Sequence, residues 1–293
     1  MVARRLTPSP PWLIAVLLLL LYGPLLVHWV DGWLNKSISI QHEYFSHGLI
    51  GLPFAAYIVW EKRADWRRLA PQCHPLGLGL VGVASLMYLT GLTDWMSLSL
   101  PLMLAGLCLA LKGMPGLRLQ TMPLLLVALA TPTQLPYLIE PYILPLQRFI
   151  AAVAGFLLTQ IGVNVTVDQI YLYVNGQTVE VAPHCAGLKM LFTSLYVALM
   201  LVYWTGAYTS KLWMGLFFGG TVALSVVGNI IRNALLSYFH GMGHDNLFVW
   251  LHESWGGDVY SALLLMLLIL WLRWIRHYVP PNLHLQRDTP ASV

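Results

Sequence analysis

Long apolar runs separated by short polar stretches dominate the chain. They occupy residues 11–30, 46–60, 75–93, 95–111, 119–132, 186–204, 212–236 and 252–275. A helix needs about 20 apolar residues to cross a bilayer core, and most of these runs approach or exceed that length. The run at 119–132 is the shortest. A further apolar segment, PYILPLQRFIAAVAGFLLTQIG (141–162), contains Arg148 and two prolines; it reads as a re-entrant or interfacial helix. One interval departs from the helical pattern. In VNVTVDQIYLYVNGQTVEVAP (163–183), Val163, Val165 and Val167 alternate with polar positions, and Asn175-Gly176 signals a two-residue hairpin turn. Open strand edges cannot face lipid, so this hairpin is expected outside the bilayer. The pattern predicts an all-α polytopic integral membrane protein of about eight transmembrane helices with a small extracytoplasmic β-hairpin. Residues 1–276 form a single membrane domain, with 163–183 as its insert, and 277–293 a solvated cytoplasmic tail.

Composition fixes the solvent. Hydrophobic residues make up 58% of the chain and charged ones 10%, against about 25% charged in soluble domains. Mean hydropathy is +0.67. The 12 Trp and 14 Tyr suffice for interfacial belts. A net charge of +4 could suggest nucleic acid, but the basic residues are scattered between apolar spans, and no nucleic-acid partner is expected. Arg4 and Arg5 precede PWLIAVLLLLLYGPLLVHWV, which is too long for a signal peptide and lacks an A-x-A-like cleavage site. It reads as a retained first span.

Charge bias then orients the spans. With both termini cytoplasmic, twelve of sixteen basic residues fall on that side: Arg4, Arg5, Lys62, Arg63, Arg67, Arg68, Lys112, Arg118, Lys211, Arg273, Arg276 and Arg287. The exceptions are Lys36, Arg148, Lys189 and Arg232. This arrangement requires 141–162 not to cross.

The same arrangement brings three reactive side chains to one outer level. Cys185 opens the sixth span just after Pro183, where a helix N-terminus favours a thiolate. Lys189, at i+4, adds positive charge or else snorkels to the interface. Arg232 lies inside an apolar run near its outer end. Such a charge costs about 2.5–3.5 kcal/mol at the bilayer centre and marks a functional site by default, although an anchor reaching lipid phosphate is the plainer reading. Asn229, one turn earlier, is placed to orient it. His252 opens the eighth span. It competes with His240 and His244 and is preferred for its depth; Gly256 and Gly257 beyond it allow close backbone approach. His184, adjacent to Cys185, does not point at the sulfur. Cys73 and Cys108 complete a set of three cysteines without disulfide or metal spacing, and Cys108 reads as a buried hydrophobe.

A thiolate, a cation and an imidazole together suit acyl transfer: attack on a carbonyl, oxyanion stabilisation and protonation of a leaving amine. No metal or cofactor is required. Spacing alone leaves a transporter or channel open, with Arg232 and Asp94 lining a pathway and Cys185 incidental.

APHCAGLK (182–189), NIIRN (229–233) and LHESWGG (251–257), preceded by EYFSHGLIGLPFAAYIVW (43–60), resemble the exosortase/archaeosortase family of prokaryotic sorting enzymes. The overall character is most similar to the cyanobacterial branch. The resemblance implies a cysteine peptidase or transpeptidase of the plasma membrane with a Cys185–Arg232–His252 site on the extracytoplasmic face. Its substrates would be membrane-tethered proteins bearing a C-terminal signal: a Pro-Glu-Pro-like motif, one span and a basic cluster. A lipid or glycan amine is a possible acceptor. Many family members carry Ser after the cysteine; this chain has Ala186. The Ser46-His47 pair carries over as a structural or substrate-groove element.

Overall fold

The structure, a computed structural model, describes residues 11–34, 44–181, 187–206 and 211–278. Contacts divide the chain into two units, Met1–Gln134 and Leu135–Val293. The expected tail beyond Tyr278 lies outside the described residues.

The first unit holds α1 (Pro11–Leu34), α2 (Gly48–Glu61), α3 (Arg63–Arg68), α4 (Pro75–Leu89), α5 (Thr93–Leu119) and α6 (Thr121–Ala130). The α5 helix breaks at Gly113 (φ 61°), close to the expected end of its span. Polar pairs join α1 to α5: Tyr22 Oη and Ser99 Oγ lie 3.0 Å apart, and Trp29 Nε1 donates to Ser97 Oγ at 3.1 Å. Such bonds hold helices together where lipid gives no hydrophobic drive between them. His47 is 4% exposed and its Nε2 bonds the Leu129 carbonyl at 3.1 Å. The Ser46-His47 segment thus ties α2 to α6. Lys62 Nζ donates to the Leu119 carbonyl and Lys112 Nζ to that of Leu69. These basic loops therefore share one end of the unit, as the charge count requires.

The second unit holds α7 (Leu135–Ile139), a 3-10 turn (Glu140–Tyr142), α8 (Leu144–Gln160), β1 (Val165–Asp168), β2 (Tyr171–Val174), β3 (Gln177–Glu180), α9 (Leu188–Thr205), α10 (Lys211–Gly241), α11 (Asp245–Glu253) and α12 (Trp255–Tyr278). Among the described residues, α1, α5, α9, α10 and α12 are long and apolar enough to cross a membrane. Three other expected spans lie on the shorter apolar helices α2, α4 and α6. The 141–162 segment forms α8, whose buried face (Gln147, Ile150, Ala151, Ala154, Leu158) follows helical spacing.

The expected hairpin is a three-stranded antiparallel sheet in the order β1-β2-β3. Asn175 (φ 50°) and Gly176 (φ 82°) make the anticipated turn, while Gln169 (φ 55°) makes a second one that folds β1 onto β2. One sheet face is closed by Leu172 and Val174, both fully buried, and rests on α8 and α10.

Candidate active site

The polar residues of α10 rise toward its end: Asn229, Arg232, Asn233 and His240 occupy its last four turns. Asn229 is 1% exposed, and neither side-chain amide atom finds a hydrogen-bond partner among the described residues. Its carbonyl accepts from Asn233 Nδ2 at 2.9 Å. Gly187 packs directly on it. A Cβ at that position would lie 2.7 Å from Asn229 Cγ, and Gly187 has φ 84°. Only glycine meets both demands.

Gly187 is also the N-cap of α9, which begins at Leu188 rather than 186. Lys189 is half-buried in the first turn of α9, and the expected i+4 relation to Cys185 falls on a residue outside the described ones. Cys185 itself, with Pro183 and His184, lies outside the described residues. The chain on either side is firmly held. Val181 is fully buried, its N–H donates to the Ile170 carbonyl at 2.8 Å, and its carbonyl accepts from Gln147 Nε2 at 2.8 Å.

Arg232 is half-buried on α10. Its charge acts on Tyr260 of α12, whose hydroxyl donates to the Gly228 carbonyl one turn below. Among the described residues the guanidinium forms no hydrogen bond or ion pair, so its planar fork of donors is available to an incoming oxygen.

His252 does not open the last span, contrary to expectation. Ser254 is extended (φ −113°, ψ −171°) and separates α11 from α12. The Trp-Gly-Gly sequence explains the tight corner: a Cβ on Gly256 would lie 2.5 Å from the Trp250 ring. As a separate amphipathic helix, α11 turns Phe248 and His252 together toward α10. Their rings stack at 5.3 Å, and Phe248 meets His240 at 5.0 Å. A cavity of about 240 Å³ lies here, lined by Thr178, Val179, Glu180, Asn233, Leu236, His240, Phe248 and His252. His240 shares it, its Nδ1 lying 3.4 Å from Asp245 Oδ1. His244 is exposed and lies outside it.

The fold thus brings His252 to the cavity beside Asn233, the residue after Arg232, and brings Gly187 against Asn229. Arg232 does not line the cavity. Sequence reasoning missed Asn233, Phe248, Tyr260 and the β3 residues. Asn233 was visible as the i+4 neighbour of Asn229, and Phe248 as the i−4 neighbour of His252.

Spanning helices, a small sheet and a cavity lined by both polar and apolar side chains mark a multi-pass membrane protein. The chain belongs to the transmembrane exosortase family: the family described as Transmembrane exosortase matches residues 33–269, which include Cys185, Arg232 and His252. That is a family of membrane proteases and transpeptidases acting on proteins with C-terminal sorting signals. No curated protein and no solved structure matches the chain.

Proposed function

We propose that this protein cleaves Pro-Glu-Pro-type C-terminal sorting signals from exported proteins through a thioacyl-enzyme on Cys185, as a member of the cyanobacterial branch. In this reading the Cys185 thiolate attacks the scissile carbonyl carbon and a C–S bond forms. Arg232 receives the oxyanion in its fork of donors. His252 gives its proton to the leaving amine as the C–N bond breaks, then takes one from the water, or the lipid or glycan amine, that resolves the thioester. Asn229 and Lys189 support the arrangement, Asn229 by seating Gly187. The site faces the extracytoplasmic side of the plasma membrane.

The observation that carries this reading is the double anchoring of the chain around Cys185. Val181 is tied to Ile170 and Gln147, and Gly187 sits on Asn229, one turn from Arg232. Covalent geometry keeps Cys185 within about 7.6 Å of the Gly187 Cα. Asp94, the acidic pathway residue of the transporter alternative, lies in the first turn of α5 and accepts from Gln134 Nε2 at 2.6 Å.

Labelling of intact cells with a membrane-impermeant maleimide tests both reactivity and side. Cys185 is expected to react fast, as is a cysteine introduced at the exposed Gln177. Cys73 is exposed in the structure, so its expected protection reports the opposite face rather than burial. Reaction at position 177 only after permeabilisation would invert the topology.

A further inference from the structure

The third strand lines the His252 cavity, and the register tells which of its backbone groups face away from β2. The Asn175-Gly176 turn closes the pair Val174↔Gln177, and a two-residue turn of this kind leaves its closing pair mutually hydrogen-bonded. Bonded and non-bonded pairs then alternate. Leu172↔Val179 is bonded, whereas Tyr173↔Thr178 and Tyr171↔Glu180 are not. The next pair confirms the phase, since Val181 N–H donates to the Ile170 carbonyl. The N–H and C=O groups of Thr178 and Glu180 therefore point away from β2. No strand follows β3 in the sheet, and among the described residues none of these four groups is hydrogen-bonded.

We propose that β3 is the substrate-docking strand: the extended peptide around the scissile bond of a tethered protein adds along Thr178–Glu180 as a fourth strand. This rests on the peptidase reading and gives it a binding site. Two donors and two acceptors recur along the edge at about 6.8 Å, twice the antiparallel rise, which is the spacing a peptide backbone matches and a lipid or phosphate does not. The cavity is lined by Thr178, Val179 and Glu180 of this strand, with Asn233, His240, Phe248 and His252 on its other walls. A strand added here passes between β3 and the His252 imidazole. Beyond Glu180 the chain reaches Cys185 in five residues, so docking and attack belong to one continuous segment. Main-chain pairing supplies affinity, and the cavity receives alternate side chains.

The test uses the full-length protein in phosphatidylcholine vesicles. The probe is a synthetic peptide with a Pro-Glu-Pro motif, about 20 leucines and a terminal arginine cluster. Thr178→Pro and Glu180→Pro each delete an outward N–H that the ladder does not use, which an edge strand tolerates. Each is expected to lower kcat/KM about tenfold or more, chiefly through KM, with alkylation of Cys185 by iodoacetamide within about twofold of the unsubstituted protein. Independently, N-methylation of successive probe amides is expected to impair cleavage at alternate positions only. This series uses the unsubstituted protein and decides the matter alone if the proline variants are not recovered. Undiminished cleavage by both recovered proline variants, or N-methyl losses without a period of two, would overturn docking on β3 while leaving the peptidase intact. Failure of the unsubstituted protein to cut the probe at all would instead overturn the peptidase reading beneath it.

Discussion

Cys185→Ser is expected to accumulate uncleaved substrate that keeps its C-terminal span. A serine hydroxyl is far harder to ionise than a thiol, and nothing else in the proposed mechanism supplies a nucleophile that can form the acyl-enzyme. The loss is expected to reach at least about a thousandfold, as it does when the nucleophile of a concerted site is removed. The substitution changes one atom in a segment anchored by Val181 and Gly187, so the protein should still assemble in the membrane. His252→Ala is expected to accumulate the same species, because the leaving amine then departs without a proton donor. His244→Ala should process like the unsubstituted protein: His244 is exposed, lies outside the cavity and makes no side-chain cap on α11. A gel shift of a tagged substrate co-expressed with each variant reads all three. Normal processing by Cys185→Ser would remove the covalent mechanism.

Arg232→Lys carries the second large effect. A lysine keeps the charge and can still snorkel, so folded protein is expected at normal levels. What it loses is the planar fork that can donate two parallel bonds to one developing oxyanion. Deleting a single oxyanion donor costs about 10²–10³ in kcat in other acyl-transfer sites, and a loss of about a hundredfold or more is expected here. The kinetic split is informative: kcat should fall with little change in KM, since the interaction forms in the transition state. A variant that cuts at the normal rate would reassign Arg232 to membrane anchoring.

The spans were legible because an apolar run of membrane length has few other uses. α1, α9, α10 and α12 follow the expected intervals closely, and α5 does so up to its break at Gly113. The Asn175-Gly176 turn was legible because both residues readily take positive φ. The third strand was not, because the second turn depends on Gln169 at φ 55°, a residue that does not announce a turn. The break at Ser254 was hidden for a related reason. The pattern LFVWLHESWGGDVY remains helical on both sides, and only the packing of Gly256 on Trp250 forces the corner. At the site, Arg232 and Asn229 stood out as polar residues in an apolar helix. The start of α9 at Leu188 was not legible because Gly187 looks like any small helix residue until its backbone turns left-handed. The cavity was beyond reach from sequence, since β3, α10 and α11 meet only through the tertiary fold.

The central claim is a covalent bond between Cys185 and the substrate's acyl group, and intact-protein mass spectrometry of an acid-quenched reaction with the tethered peptide probe tests it most directly. The result expected is a mass increase equal to the probe's N-terminal fragment, mapped to Cys185 and removed by neutral hydroxylamine as a thioester is. Steady cleavage with no adduct on Cys185, or an adduct on any other residue, would contradict it.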